Sequence, residues 1–165
     1  MLTGDAATSD AVRQRLPGPA ALHIACHGLY RPANPLFSSL RLGDRWVTSA
    51  EITELDLGGA LVTLSACESG RPADDTAEPV GLAWAFLAAG ASGAVVSQWI
   101  VQDDAAADLF RVFYTRLAAG AGPSTALRDA QLATAEDHPH PYFWAPFSYV
   151  ASPRTLTLES IDEKN

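Results

Sequence analysis

Apolar positions along the chain fall into short runs bounded by turn residues, and no single long apolar stretch is present. Residues 20–26, 60–66 and 92–99 are three such runs, each of strand length and largely without polar alternation. Runs of this kind predict strands that are buried on both faces. A fourth run, 142–151, contains Pro146, which predicts a strand at a sheet edge or one with a bulge.

Helical patterns separate these runs. Thr48 and Glu51 form a capping box, and Gly90 follows a helical pattern at the position where a left-handed residue ends a helix. Trp84, Phe86 and Leu87 have the spacing of a helix face in the core. The predicted helices span residues 8–16, 48–55, 79–89, 103–119 and 123–135.

The order of strand, helix and strand predicts an α/β fold with a mostly parallel central sheet flanked by helices. In such sheets, ligands bind at the carboxyl ends of the strands. Two of the predicted strands end in a reactive residue at this edge: His27 follows the first, and Cys67 follows the second, 40 positions later. An imidazole that faces a thiol removes its proton and then protonates the leaving amine. The backbone N–H groups of Gly28 and Cys67 are candidates for an oxyanion hole.

Composition narrows the range of partners. The net charge of -8 and the lack of a dense basic face argue against nucleic acid as a partner. No apolar run reaches the roughly 18 residues of a membrane-spanning helix, and the first ten residues do not resemble a signal peptide, so we expect a cytoplasmic protein without a membrane partner. Two cysteines do not make a disulfide framework. His23 and His27 lie four apart on a strand, which is poor spacing for zinc, so no metal site is expected.

Seven runs occur in an order and spacing that one family shares. They are HIACHG at 23–28, PLFSSLRL at 35–42, LVTLSACESG at 61–70, GLAWAFLAAGASGAVVSQW at 81–99, FY at 113–114, ALRDAQ at 126–131 and HPYFWAPF at 140–147. In these runs the chain resembles the CHAT peptidase family, which is related to caspases and separases. The resemblance implies a caspase-like (caspase–hemoglobinase) fold. It also implies a cysteine endopeptidase that cleaves protein or peptide substrates without a cofactor.

The resemblance also assigns roles to residues. The catalytic histidine of the family falls on His27, its nucleophile on Cys67 and the glycine after the histidine on Gly28. A W-x-V-x-D motif falls on Trp99 and Asp103. In relatives, an acidic residue near this motif selects a basic residue before the cleaved bond. Asp103 is therefore expected to line a substrate pocket, with Asp104 as the alternative. The further pocket candidates are Trp99, for which packing is equally plausible, and Glu68, which follows the nucleophile.

Family members carry further strands before the region that matches the start of this chain. Residues 1–153 are therefore interpreted as a CHAT-like peptidase domain that is incomplete at its N-terminal side, and 154–165 as a C-terminal tail. We expect an open sheet edge beside the strand at 20–26. Its expected partner is an N-terminal region or another chain that completes the sheet.

Two other functions remain open from the sequence. A non-catalytic CHAT-like interaction module, or a split subunit that needs a partner chain, fits the shortened domain. A small hydrolase that uses Ser65 or Ser97 is disfavoured, because the chain has no G-x-S-x-G elbow. Cys26 and His23 are interpreted as packing residues, with Cys26 on the strand face opposite to His27.

Overall fold

A computed structural model describes residues 1–31, 33–65, 82–100 and 102–152 of the chain. The strands are β1 (Ala21–Ala25), β2 (Gly28–Leu29), β3 (Ser39–Arg41), β4 (Trp46–Thr48), β5 (Leu61–Ser65), β6 (Gly93–Ser97) and β7 (Phe147–Ala151). The helices are α1 (Ser9–Arg13), α2 (Ser49–Thr53), α3 (Leu82–Ala88), α4 (Asp103–Ala118), α5 (Pro123–Asp137) and α6 (Pro141–Trp144). None of the helices in these ranges is long and apolar enough to cross a membrane.

The central sheet has the strand order β1-β5-β6-β7. The first three strands run parallel, and β7 pairs antiparallel with β6. The prediction of a mostly parallel central sheet flanked by helices is confirmed, and the last strand lies at a sheet edge. At the opposite edge, β1 pairs only with β5 among the described residues. A separate antiparallel sheet of order β2-β3-β4 follows β1 in the chain.

Helices cover both faces of the central sheet because successive strand residues point to opposite sides. On one side, Val62, Leu64 and Val96 pack with Ile52 of α2 and Phe86 of α3. On the other side, the complementary positions pack against α4 and α5, and the residues involved include Leu61, Val95, Leu109, Phe113 and Leu127. Val62, Leu64 and Val95 are fully buried, so the sheet forms the middle layer of the core.

The local signals in the sequence mark several element ends correctly. The Thr8 hydroxyl caps α1 by accepting from Ala11 N at 3.2 Å. The capping box of α2 is formed by Thr48 and Glu51. Gly90 has a φ of 93°, a conformation that favours glycine, directly after the last turn of α3.

Three predictions about local structure are wrong. The strand at 20–26 is not buried on both faces, because β1 lies at the end of the sheet: Leu22 and Ile24 are half-buried, whereas Ala21, His23 and Ala25 are exposed. The run at 142–151 is not one strand, because its first part belongs to α6 and β7 begins only at Phe147. Pro141 lies at the helix start and His140 Nδ1 accepts from Tyr142 N at 3.1 Å, which stabilises a helical turn there. Trp84 of α3 is 51% exposed and is not a core residue, whereas Phe86 on the same helix is buried.

The capping box makes stability depend on pH. The backbone N–H of Thr48, the Arg45 guanidinium and the Thr48 hydroxyl lower the pKa of Glu51 from 4.5 to about 2. Because the folded protein holds this carboxyl ionised, its contribution is complete above pH 4.5 and is lost as the pH falls toward 2.

We therefore expect Glu51→Gln to lower the free energy of unfolding at neutral pH by about 1 kcal/mol or less, since the site is partly exposed. The variant should also show a smaller change in that free energy between pH 4.5 and 2. Urea unfolding at several pH values measures both effects. Glu54→Gln, an exposed residue at the end of the same helix, is the matched control. An unchanged pH profile in Glu51→Gln would contradict the assignment.

Candidate functional site

His27 lies at the carboxyl edge of the central sheet, two residues after the end of β1. Its backbone oxygen accepts from Arg41 N at 2.8 Å, which joins the end of β1 to the small antiparallel sheet. The His27 side chain is exposed and borders a cavity of about 480 Å³. The backbone thus fixes the position of His27 while its imidazole stays accessible to a ligand.

This cavity lies where the parallel strands of the central sheet end. Ser65 is the last residue of β5 and Ser97 is the last residue of β6, and both line it together with His27. The opposite wall comes from the first turns of α4, which contribute Asp103 and Ala106. The cavity is therefore at the sheet edge where open α/β sheets bind ligands.

The register between β1 and β5 places equivalent positions side by side at this edge. Ala25 is paired with Ser65, so the two strands end level with each other. The predicted nucleophile Cys67 and the pocket candidate Glu68 follow Ser65 and lie outside the described residues. Their positions therefore remain predictions.

Gly28 directs its backbone N–H away from the neighbouring strand. Gly28 is opposite Leu40 in the pairing of β2 with β3. The hydrogen bond from Arg41 N to His27 O shows that the next pair along, His27 and Arg41, is a hydrogen-bonded pair, so Gly28 and Leu40 form a non-hydrogen-bonded pair. In an antiparallel ladder, hydrogen-bonded and non-hydrogen-bonded pairs alternate. The Gly28 N–H consequently points to the side of β2 that does not face β3.

Of the pocket candidates at 99–104, Asp103 and Trp99 line the cavity and Asp104 does not. Asp103, at the start of α4, lines the cavity together with His27. Asp104 is exposed beside it and is not among the lining residues. Trp99 lines the cavity and donates from Nε1 to the Tyr142 backbone oxygen at 3.0 Å, so α6 helps to hold this wall in place.

The floor of the cavity is aromatic, which the sequence did not predict. His23 and Phe147 each pack edge-on against Phe110, with ring centroids 5.0 Å and 4.7 Å from it. His23 Nδ1 is hydrogen-bonded to the Tyr114 hydroxyl at 2.8 Å. Burial lowers the pKa of His23 and raises the pKa of Tyr114, so both groups are neutral near pH 7.

These floor residues belong to three separate parts of the chain, so spacing in the sequence carries no sign of the cluster. The one available signal was that His23 shares a strand face with His27. His23 packs against Phe110 on one side, but it is an exposed residue and also lines the cavity. Cys26 packs with the core on the α2 and α3 side and also touches the cavity.

In the ranges that the structure describes, no group of three His, Cys, Asp or Glu side chains is placed to hold a metal ion. The lining residues with a polar group are His23, Cys26, His27, Ser65, Ser97, Trp99 and Asp103. Among these, the chemistry on offer is proton transfer at His27 and attraction of a cation at Asp103.

Comparison with known proteins gives one family and two curated relatives. The CHAT domain family matches residues 1–153. Tetratricopeptide repeat protein 28 of Homo sapiens is 32% identical over 116 residues, and the Mus musculus protein of that name gives the same figures. These alignments cover 69% of this chain but 5% of each relative, so the chain spans a small part of their length. The match over 1–153 shows that this chain belongs to the CHAT domain family.

Proposed function

We propose that this chain is a cysteine endopeptidase of caspase-like fold, with Cys67 as nucleophile and His27 as its acid–base partner. The observation that carries the proposal is the position of His27. It borders a cavity at the carboxyl edge of the sheet, and the same cavity is lined by Ser65, which precedes Cys67 by two residues. Membership of the CHAT domain family supports the caspase-like relationship.

Chain geometry supports contact between the two residues. His27 follows Ala25 by two positions, Cys67 follows Ser65 by two positions, and Ala25 is paired with Ser65. Neighbouring strands lie about 4.8 Å apart. Two residues reach at most about 7 Å along the chain. On this basis we expect the His27 imidazole and the Cys67 thiol to come within reach of one substrate carbonyl.

The proposed reaction needs no group from outside the chain except water. His27 takes the proton of Cys67, and the thiolate sulfur forms a bond to the scissile carbonyl carbon. The oxyanion accepts hydrogen bonds from the N–H groups of Gly28 and Cys67. His27 then gives its proton to the amine as the carbon–nitrogen bond breaks. Water, with His27 as base, hydrolyses the thioester and restores both residues.

The cavity supports a basic side chain before the scissile bond. Ala106, Ala107 and Phe110 offer apolar contact for the methylene groups of Arg or Lys, and Asp103 offers a carboxylate for the charged end. Trp99 borders the same space, and its ring face suits a guanidinium group. Glu68, and Asp104 as the alternative to Asp103, remain proposed contributors to this pocket.

A non-catalytic CHAT interaction module is the second candidate, and two observations favour it. The matched relatives are named for tetratricopeptide repeats and not for a peptidase activity. In addition, β1 has one edge without a partner strand among the described residues, and such an edge accepts an added strand. In this version, an N-terminal region or a partner chain completes the sheet, and the dyad is not used.

An affinity-directed covalent probe separates the two candidates. A peptidyl chloromethyl ketone ending in arginine is incubated with the protein, and the modified cysteine is located by mass spectrometry. The peptidase proposal predicts fast, saturable labelling of Cys67 that a competing arginine peptide prevents. Slow labelling of Cys67 and Cys26 at similar rates, without saturation, would support the interaction module. Cys26 is an internal reference because the chain contains no third cysteine.

A further inference from the structure

The small antiparallel sheet has one buried face and one open face. Leu40 and Val47 are paired across β3 and β4 and are only 2% and 7% exposed, because they join the main core. Residues on either side of them point the opposite way. Leu29, Ser39 and Thr48 form one row on this second face, where Leu29 is exposed, Thr48 is half-buried and Ser39 is buried.

His27 belongs to the same face of this sheet. Arg41 is paired with Trp46, and Arg41 N donates to His27 O, so these three residues form the row next to that of Leu29. His27 and Leu29 are two positions apart along an extended segment, and their side chains therefore point to the same side. The Cα atoms of two such residues are at most about 7 Å apart.

A groove of about 740 Å³ lies on this face. Its lining includes Leu29, Phe37 and Trp46, which are 40%, 58% and 44% exposed. Uncovered apolar side chains of this size are common singly but mark a binding surface when they line one concavity. Arg31 also lines the groove and adds a positive charge to it, although the chain as a whole carries -8.

The direction of the proposed reaction identifies the occupant. The cavity with Asp103 holds the acyl side of the substrate, and His27 protonates the amine that departs. The chain of the leaving group must therefore extend from the amine past His27, and the open face of the small sheet begins there. We infer that this groove is the subsite for substrate residues that follow the cleaved bond, and that it takes a bulky apolar side chain with a carboxylate beside it.

This inference rests on the proposed peptidase function and adds a substrate preference to it. The apolar side chain is desolvated against Trp46 and Phe37, and the neighbouring carboxylate pairs with Arg31. Loss of one large apolar contact at a subsite of this kind changes kcat/KM by about tenfold. The preference depends on residues after the scissile bond, so a substrate without them is not affected by changes in the groove.

The test uses three substrates with identical residues before the scissile bond. The first substrate is a fluorogenic amide that has no amino-acid residue after the scissile bond. The other two are internally quenched peptides in which the second and third residues after the scissile bond are Phe-Glu or Ser-Ser. The wild-type protein is compared with Trp46→Ala and with Leu132→Ala, an exposed apolar residue of α5 outside the groove, as control. Binding of the Phe-Glu peptide to Cys67→Ala, measured by calorimetry, gives a readout without turnover.

We expect the wild type to prefer the Phe-Glu peptide over the Ser-Ser peptide by about tenfold in kcat/KM, mostly through KM. Trp46→Ala should remove this preference and weaken peptide binding, while the rate with the short amide and the behaviour of Leu132→Ala stay unchanged. Equal use of both peptides by the wild type would overturn the inference but leave the peptidase function intact. Lack of turnover of all three substrates, the short amide included, would instead overturn the peptidase function and the inference with it.

Discussion

Replacing either member of the proposed dyad should abolish peptide turnover. For His27→Ala, we expect kcat/KM to fall by about 10³-fold or more, since a positioned acid–base residue contributes about 10²–10⁴-fold and His27 acts in both half-reactions. For Cys67→Ala, turnover should fall to the background rate, because no other group forms the thioester. The double variant should be no slower than Cys67→Ala alone, as expected for residues that act as one unit.

His138→Ala is the matched control for the histidine change. His138 packs against Phe143, with ring centroids 5.2 Å apart, and does not line the cavity. Initial rates with an arginine-containing fluorogenic peptide provide the comparison, and circular dichroism checks that each variant is folded. Turnover in His27→Ala within a few-fold of the wild-type rate would remove His27 from the mechanism.

Asp103 should decide which residue precedes the cleaved bond. Asp103→Asn keeps the shape of the side chain but removes its charge, so the ion pair with a bound Arg or Lys is lost. We expect the preference for arginine over glutamine at this position to fall by about tenfold, because Asp103 is exposed in the empty cavity and water screens part of the ion pair. The rate with the glutamine peptide should change little, because that substrate has no charge to pair.

Two carboxylates on the same helix serve as comparisons. Asp104→Asn tests the neighbouring carboxylate, which is outside the cavity lining, and we expect a smaller loss of preference than in Asp103→Asn. Asp108→Asn is the control, because Asp108 forms an ion pair with Arg111 on the exposed side of α4. Specificity constants for a matched arginine and glutamine peptide pair measure all three. If Asp104→Asn had the larger effect, the pocket would be centred on Asp104.

The parallel core was predictable because its signals are local. Each of the strands β1, β5 and β6 is a continuous apolar run between turn residues. The strands β5 and β6 are buried on both faces as predicted, whereas β1 is half-buried on one face and exposed on the other. The open edge at β1 was also expected. The helical turn of α6 was missed because Phe143 and Trp144 have strand propensity, whereas the cap by His140 acts over only two residues.

The site was predictable in part for a related reason. His27 follows the end of β1, and Asp103 is the first residue of α4. The topology alone therefore brings both residues to one edge of the sheet. The aromatic floor around Phe110 depends on how α4 packs across β1 and β7, which periodicity does not reveal. The open face of β2, β3 and β4 depends on the register of strands of two or three residues, which are too short to give a pattern.

If His27 activates Cys67, the rate of Cys67 alkylation must depend on pH in a way that requires the imidazole. Iodoacetamide reacts with thiolates, and mass spectrometry follows its reaction at Cys67 separately from Cys26. In the wild type, we expect Cys67 to react at about pH 6 at a large fraction of its rate at about pH 9. In His27→Ala, the rate at low pH should drop to that of an ordinary thiol. Identical profiles for the wild type and His27→Ala would show that the imidazole does not act on the sulfur, and would contradict the proposed dyad.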